Sequence, residues 1–527
     1  MWDRYYVHLS EDYAVKHPCQ PHRILSLTCQ SLASFLENMG KSLKDYGLQH
    51  LCRSEDILVQ RTRDVIDALD APNPEACNAA RKQLHNEQRT TYKCIISHVK
   101  RKKSGLFFID GPGGTGKTFL YCALYAKVRL FNQIVLPTPT SGIAASNMPT
   151  GRIAHSRFKL PVDCGQSFTC NVGKQSSVAS LIEESSLIIW DEAFMARREN
   201  IESLNLLLRD LCLPDVPFGG KLVVFGGDFR QTVPIVPKKS QQEIIGYSLV
   251  SSHLWPLFTR FELTVNMQAR EDPEFSRFLL ALGNGELQMQ ETELVSIPKS
   301  LNLSCREYPA TLEVLLAVYP NILTQSIHPS FFAERAILTP RNEDVDLNNS
   351  KLIDKFFGDV CIYKSFDSVI DDHCNIYPTE FLNALCPEGM SPHELILKLN
   401  CPFILLRNLD LSSGLCFSKG ECVMLPRINL MPLESSGYPF QFQRLQFPIK
   451  LCFVMTINKS QGQTPLEVGV YIRKLMFSHG QLYVALSRAR KANNIKVLDA
   501  SSIEQKATSP CVTNVVSYDL LKKAGII

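Results

Sequence analysis

Residues 111–118, GPGGTGKT, concentrate groups that can hold a phosphate. Gly111, Gly113, Gly114 and Gly116 let successive backbone N–H groups curl around anionic oxygens with no β-carbon in the way. Thr115 completes that loop, Lys117 can reach the outer phosphates of a nucleoside triphosphate, and Thr118 offers a hydroxyl to Mg²⁺. The spacing G-x-x-x-x-G-K-[ST] gains its meaning from context. Here an apolar run at 106–109 reads as a buried parallel strand, and a helical pattern starts at Lys117. The helix dipole then adds to the anion site.

Three further strand ends carry chemistry. Residues 187–190 form an apolar run that closes on Asp191 and Glu192. Asp191 suits a metal held through water, and Glu192 suits polarising an attacking water. The apolar run at 221–225 closes on GGDFRQ, which puts Gln231 at a strand terminus beside the γ-phosphate. After the strand expected at 133–137 come loops rich in hydroxyls and small residues, with Thr140, His155 and Phe158. Such loops suit phosphodiester contacts, with Phe158 as a base-stacking surface. Gln88 precedes a helical run and carries an amide that both donates and accepts, which fits an adenine edge; a solvated helix start would look the same. Arg488, near the end of a helical stretch at 483–490, is expected to bring a cation from a second lobe to the transferring phosphate.

The elements needed to position these groups are strands alternating with helices, the active residues lying on loops after the strands. That pattern indicates α/β architecture with doubly wound parallel sheets. It recurs at 335–340, 451–457, 468–472 and 495–498, interrupted by a proline-rich stretch of short apolar runs. The expected division is a helical extension over 1–80, a first lobe over 81–262, a second lobe over 263–349 and 448–527, and a small β-rich insertion over 350–447.

Composition bounds the rest. With 527 residues, 45% hydrophobic and 20% charged, the chain reads as globular and of two to four domains. A net charge of +4 permits nucleic-acid binding without arguing for it. The 18 cysteines include no C-x-x-C pair, which disfavours zinc, and the charged N-terminus is no secretory signal, which disfavours a disulfide framework. No apolar run approaches membrane-spanning length. A reducing compartment is expected.

Taken in order, GPGGTGKT, IWDEA, FGGKLVVFGGDFRQ, MTINKSQGQT and YVALSRAR resemble the Pif family of superfamily-one DNA helicases, the group related to RecD. The resemblance spans about 80–527. ILLRNLDLSSGLC and the ending TNVVSYDLLKK look most like its Helitron-type branch, encoded by rolling-circle transposons. The resemblance implies two RecA-like lobes that use ATP and Mg²⁺ to move 5′ to 3′ on single-stranded DNA and open tailed duplexes. It implies a monomeric motor with roles in recombination, repair and telomere maintenance, in the nucleus or alternatively the mitochondrion. By motif match it gives Gln88 to adenine, Arg488 to the arginine finger, and Thr140, His155, Phe158, Lys459 and Ser460 to DNA.

Four departures from the family pattern stand out. His85 occupies the place of an Asn, Phe194 that of a Pro, and Gln268 that of an Arg, with Arg270 two residues late. From Phe417 the chain runs straight into Gly420, which reads as a shortened β domain. No relaxase motif is present, which leaves open that Met1 is internal to a longer frame. The alternative expectation is therefore a transposon remnant that binds ATP or single-stranded DNA without unwinding. A motor subunit resembling RecD is a weaker third.

Overall fold

The computed structural model describes residues 2–16, isolated positions between 21 and 48, and 62–527 except 162–167, 235, 237–238, 268–271, 288–292, 304–316, 321, 323–329, 371–376, 388, 407–423, 433–437 and 501–510. The first sheet is built from β1 (Gly105–Asp110), β2 (Ile134–Pro137), β3 (Ser185–Trp190), β4 (Leu222–Gly227) and β5 (Thr259–Glu262), in spatial order β2-β3-β4-β1-β5. Every pairing is parallel. Parallel strands are covered on both faces, and the near-continuous apolar character of β1, β3 and β4 follows from that.

Helix α1 (Asn86–Arg101) leads into β1, and α2 (Lys117–Arg129) starts at the end of the glycine loop. Gly116 caps α2 at φ +79° and Gly114 sits at φ +86°. An L side chain is strained in both places, so the loop needs glycine there.

The second sheet contains β6 (Arg335–Thr339), β7 (Val454–Thr456), β8 (Glu467–Ile472) and β9 (Ile495–Asp499), in order β7-β6-β8-β9 and again all parallel. Helix α3 (Pro273–Asn284) and the short α4 (Gln481–Leu486) share its core with Leu282, Tyr483 and Leu486. Between β6 and β7 lie short antiparallel strands, including Phe366–Val369, Ile428–Leu430 and Phe442–Gln446. Their small core of Leu382, Met390, Leu430 and Phe442 encloses a buried Arg444–Asp367 ion pair at 2.6 Å.

Three boundaries differ from the expected division. Residues 62–70 belong to the first lobe: Val65 is fully buried in its core. Helix Asn342–Lys355 runs past residue 350, and its Leu352 and Ile353 pack in the second lobe. The last helix, α5 (Tyr518–Ala524), returns to the first lobe, where Leu520, Leu521 and Ala524 join the core formed by Leu204, Leu208 and Phe258. Trp255 Nε1 donates to the Lys523 carbonyl at 3.3 Å and Arg260 to that of Ala524 at 2.8 Å, fastening it. Apolar spacing shows that such a helix has a buried face; it does not show which lobe supplies the cover.

Candidate functional site

The strand ends of the first sheet converge on the glycine loop because parallel strands place their C-terminal ends on one edge. Lys117 is buried and its Nζ donates to the Gly111 carbonyl. Thr115 Oγ1 donates to Pro112 O at 2.9 Å. Asn266 Nδ2 donates to Gly113 O at 3.1 Å, and the Met267 amide to Gly114 O at 2.9 Å. A β-carbon on Gly114 would stand 2.4 Å from Asn266 Oδ1, so the two residues are matched. The residue pattern alone gives Asn266 no role; the loop contact does.

Gln88 sits against this loop, its amide engaged with protein. Nε2 donates to Thr115 O at 2.9 Å, and Oε1 accepts from the His85 amide at 3.0 Å. The residue thus braces the loop from the first turn of α1, whose N-cap position is held by His85, the first departure. Glu87 works beside it, accepting from the Thr264 amide at 2.8 Å.

Asp191 and Glu192 follow β3 and are both buried. The Glu192 amide donates to Asp191 Oδ1 at 3.0 Å, and Glu192 itself adopts φ 54°, a left-handed turn that aims its carboxylate off the strand. Burial raises the Asp191 carboxyl, opposed by Lys117. Burial and then Asp191 push Glu192 up to about 7. Glu192 Oε2 has no hydrogen-bond partner among the described residues. Phe194, the second departure, is fully buried, and a β-carbon on Gly227 would come within 2.3 Å of it. It fills the space beside β4 that glycine leaves open.

The turn after β4 holds a charged cluster that sequence reasoning passed over. Asp228 is fully buried. It accepts from Gln231 Nε2 at 3.3 Å and from the Tyr483 hydroxyl at 2.8 Å, and pairs with Arg230 at 3.5 Å. Arg230 also lies 3.7 Å from Asp110 at the end of β1. Burial works against the Arg230 charge, yet Asp228 and Asp110 hold it above its usual value. Burial and then Asp228 push the Asp110 carboxyl up to about 7. The available signal was the pair of charged residues in GGDFRQ, since buried charges occur in compensated sets.

The second lobe faces this edge. Gln461 Nε2 reaches Gln231 Oε1 at 3.4 Å, and His479 Nε2 donates to Phe229 O at 2.8 Å. Arg488 is buried, held by Val484 O at 2.9 Å and Gln463 O at 3.2 Å. Its NH2 lies 4.0 Å from the position a β-carbon on Gly113 would take, so its guanidinium confronts the glycine loop across the cleft. Burial disfavours its charge, and Glu192 opposes that effect.

The expected DNA-contacting residues divide. Phe158 is fully buried, with its ring centroid 6.3 Å from that of Trp190, so it is core and offers no stacking surface. Ser460 is buried too, its hydroxyl donating to Ile457 O at 2.7 Å. The Thr140 hydroxyl accepts from Trp190 Nε1 at 3.0 Å and donates to Glu192 O at 2.7 Å, tying the loop after β2 to the carboxylate turn. His155 Nε2 lies 3.2 Å from Asn200 Nδ2, and burial keeps the ring pKa low. Lys459 is exposed and lines a cavity of about 510 Å³ between helix Asn342–Lys355 and the β insertion. Gln268, Arg270 and the residues from Phe417 to Cys422 lie outside the described residues.

Residues 83–293 match the family model described as PIF1-like helicase, and 380–417 match that of the DNA helicase Pif1 2B domain. The chain is 25% identical over 443 residues to the ATP-dependent DNA helicase PIF1 of Danio rerio, covering 79% of this chain and 61% of that one. The Homo sapiens relative of the same name is 24% identical, with 80% and 62% covered. The chain thus spans about three-fifths of the length of these relatives. In fold it is similar to a Bacteroides Pif1 bound to ssDNA (TM-score 0.58, 20% identity, 83% of this chain and 96% of that one). It is also similar to a Pif1 helicase from Candida albicans (TM-score 0.55, 22% identity, 84% and 99% covered).

Proposed function

The chain belongs to the PIF1-like helicase family, and on that premise we propose that it is an ATP-dependent motor that moves 5′ to 3′ on single-stranded DNA and opens duplexes. The observation that carries this reading is Arg488, held in the second lobe and facing Gly113 of the first. A nucleotide in that cleft would touch both lobes, so its binding and loss can close and open them.

The residues suit each part of the task. Loop amides and Lys117 would hold the β- and γ-phosphates. Thr118 and Asp191 would supply hard oxygens of the kind Mg²⁺ accepts alongside phosphates and water, and the buried Asp191 carboxylate fits it. When bound, the metal supplies charge neutralisation at the phosphates. Glu192, with a buried oxygen lacking a partner among the described residues, is suited to accept a proton from the attacking water. Gln231 bridges Asp228 and Gln461 and so can sense the γ-phosphate from the turn between lobes. Gln88 would act on the nucleotide through the loop it braces. Lys459 and the backbone around Thr140 and His155 remain proposed DNA contacts; Phe158 and Ser460 do not. A nuclear location, with the mitochondrion as alternative, is proposed from the substrate alone.

The test is ATP hydrolysis with and without single-stranded DNA, alongside strand displacement on 5′- and 3′-tailed duplexes. DNA-stimulated hydrolysis that Lys117→Ala abolishes, with displacement only from a 5′ tail, is the expected outcome. The second reading, a transposon-derived binder of the Helitron type, rests on Gln268 standing where a cation would strengthen γ-phosphate contact. Hydrolysis without displacement from either tail would favour it.

A further inference from the structure

Arg488 closes a short buried segment of the second lobe. Helix α4 is only six residues long and ends two residues before it. Something must fix that helix against the first lobe if the guanidinium is to meet the loop reproducibly. Tyr483 lies one turn earlier: the Ser487 amide donates to its carbonyl at 2.9 Å, so the side chain and the Ser487–Arg488 turn move together. Its ring is 2% exposed within the second-lobe core, while its hydroxyl leaves that core and donates to Asp228 Oδ2 of the first lobe at 2.8 Å. The acceptor is rigid, being fully buried and gripped by Gln231 and Arg230. Gly283 confirms the fit on the other side: a β-carbon there would stand 2.9 Å from the Tyr483 ring and 3.0 Å from Arg230.

We propose that Tyr483 is a positioning residue for the nucleotide site: its bond to Asp228 sets the approach of Arg488 to the glycine loop. It touches no reacting atom. It acts through Arg488 and through Asp228, which also receives Gln231, so the hydroxyl joins the loop after β4 to the helix that bears the cation. The inference rests on the ATP-hydrolysing reading above.

The geometry separates turnover from affinity. Most of the phosphate grip belongs to Lys117 and the loop amides beyond Gly113, whose backbone the Tyr483 hydroxyl also meets, whereas the reacting geometry depends on Arg488. Misplacing a catalytic group by about 1 Å can cost on the order of 10²-fold. Tyr483→Phe keeps the ring and deletes the bond. It is expected to lower DNA-stimulated kcat on the order of 10- to 10²-fold, with the Kd for a fluorescent ATP analogue changed less than about 2-fold and the melting temperature close to wild type. Gly283→Ala crowds both Tyr483 and its cluster partner Arg230 with the hydroxyl intact; it serves if Tyr483→Phe does not fold, and is expected to lower kcat in the same direction with nucleotide affinity kept. Full kcat in a folded variant of either kind overturns the proposal, as does a fall in kcat matched by lost nucleotide binding. Absence of hydrolysis in the wild-type chain overturns instead the reading on which it rests.

Discussion

Phe158 is a core residue of the first lobe. An aromatic in a hydroxyl-rich loop suits base stacking, yet here it turns inward beside Trp190 and is fully buried. Phe158→Ala should therefore lower unfolding free energy by about 3–5 kcal/mol, measured by denaturant titration, and should weaken DNA binding no more than that instability explains. Asp191 and Glu192 were legible because they sit where a buried strand stops, and Lys117 because it opens the helix after a glycine loop, positions with a chemical meaning of their own. Asp228 and Tyr483 were not, since their partnership joins positions 255 residues apart. Asp110 adds a pH dependence. Its carboxyl ordinarily titrates near 3.8 and is raised to about 7 by burial and then by Asp228. The folded state thus holds this proton more tightly than the unfolded chain, and the associated stability declines as pH climbs from about 4 to 7 and stays lost above. Asp110→Asn should flatten that decline, seen as a smaller difference in urea midpoint between pH 5 and pH 8 than in wild type.

At the scale of elements, both parallel sheets were readable, because apolar runs bounded by glycine or acidic turns define strands whatever their neighbours. The return of α5 to the first lobe was not readable. Its Leu520, Leu521 and Ala524 would suit either lobe's surface, and only the folded chain brings them to Leu204 and Leu208. This gives the first lobe a closing clamp from the far end of the chain. Leu521→Ala should cost about 2–5 kcal/mol. Hydrogen exchange should then quicken in helix Arg198–Leu211, while β9 of the second lobe keeps its protection. Equal loosening of β9 would mean that the clamp serves both lobes.

For the whole molecule, the side-chain contacts across the cleft between the sheets include Tyr483 to Asp228, Gln461 to Gln231, His479 to the Phe229 carbonyl and Arg230 to Asn284. These four involve the turn after β4, at the edge where the strand ends of the first sheet gather, so a phosphate bound there can alter them. The reading of this chain as a motor depends on a nucleotide site that neither lobe completes alone. Arg488→Ala tests it most directly, with DNA-stimulated ATP turnover and nucleotide affinity measured on the same protein. The composite site predicts turnover reduced about 10³-fold with affinity largely kept; turnover within about 2-fold of wild type would contradict it.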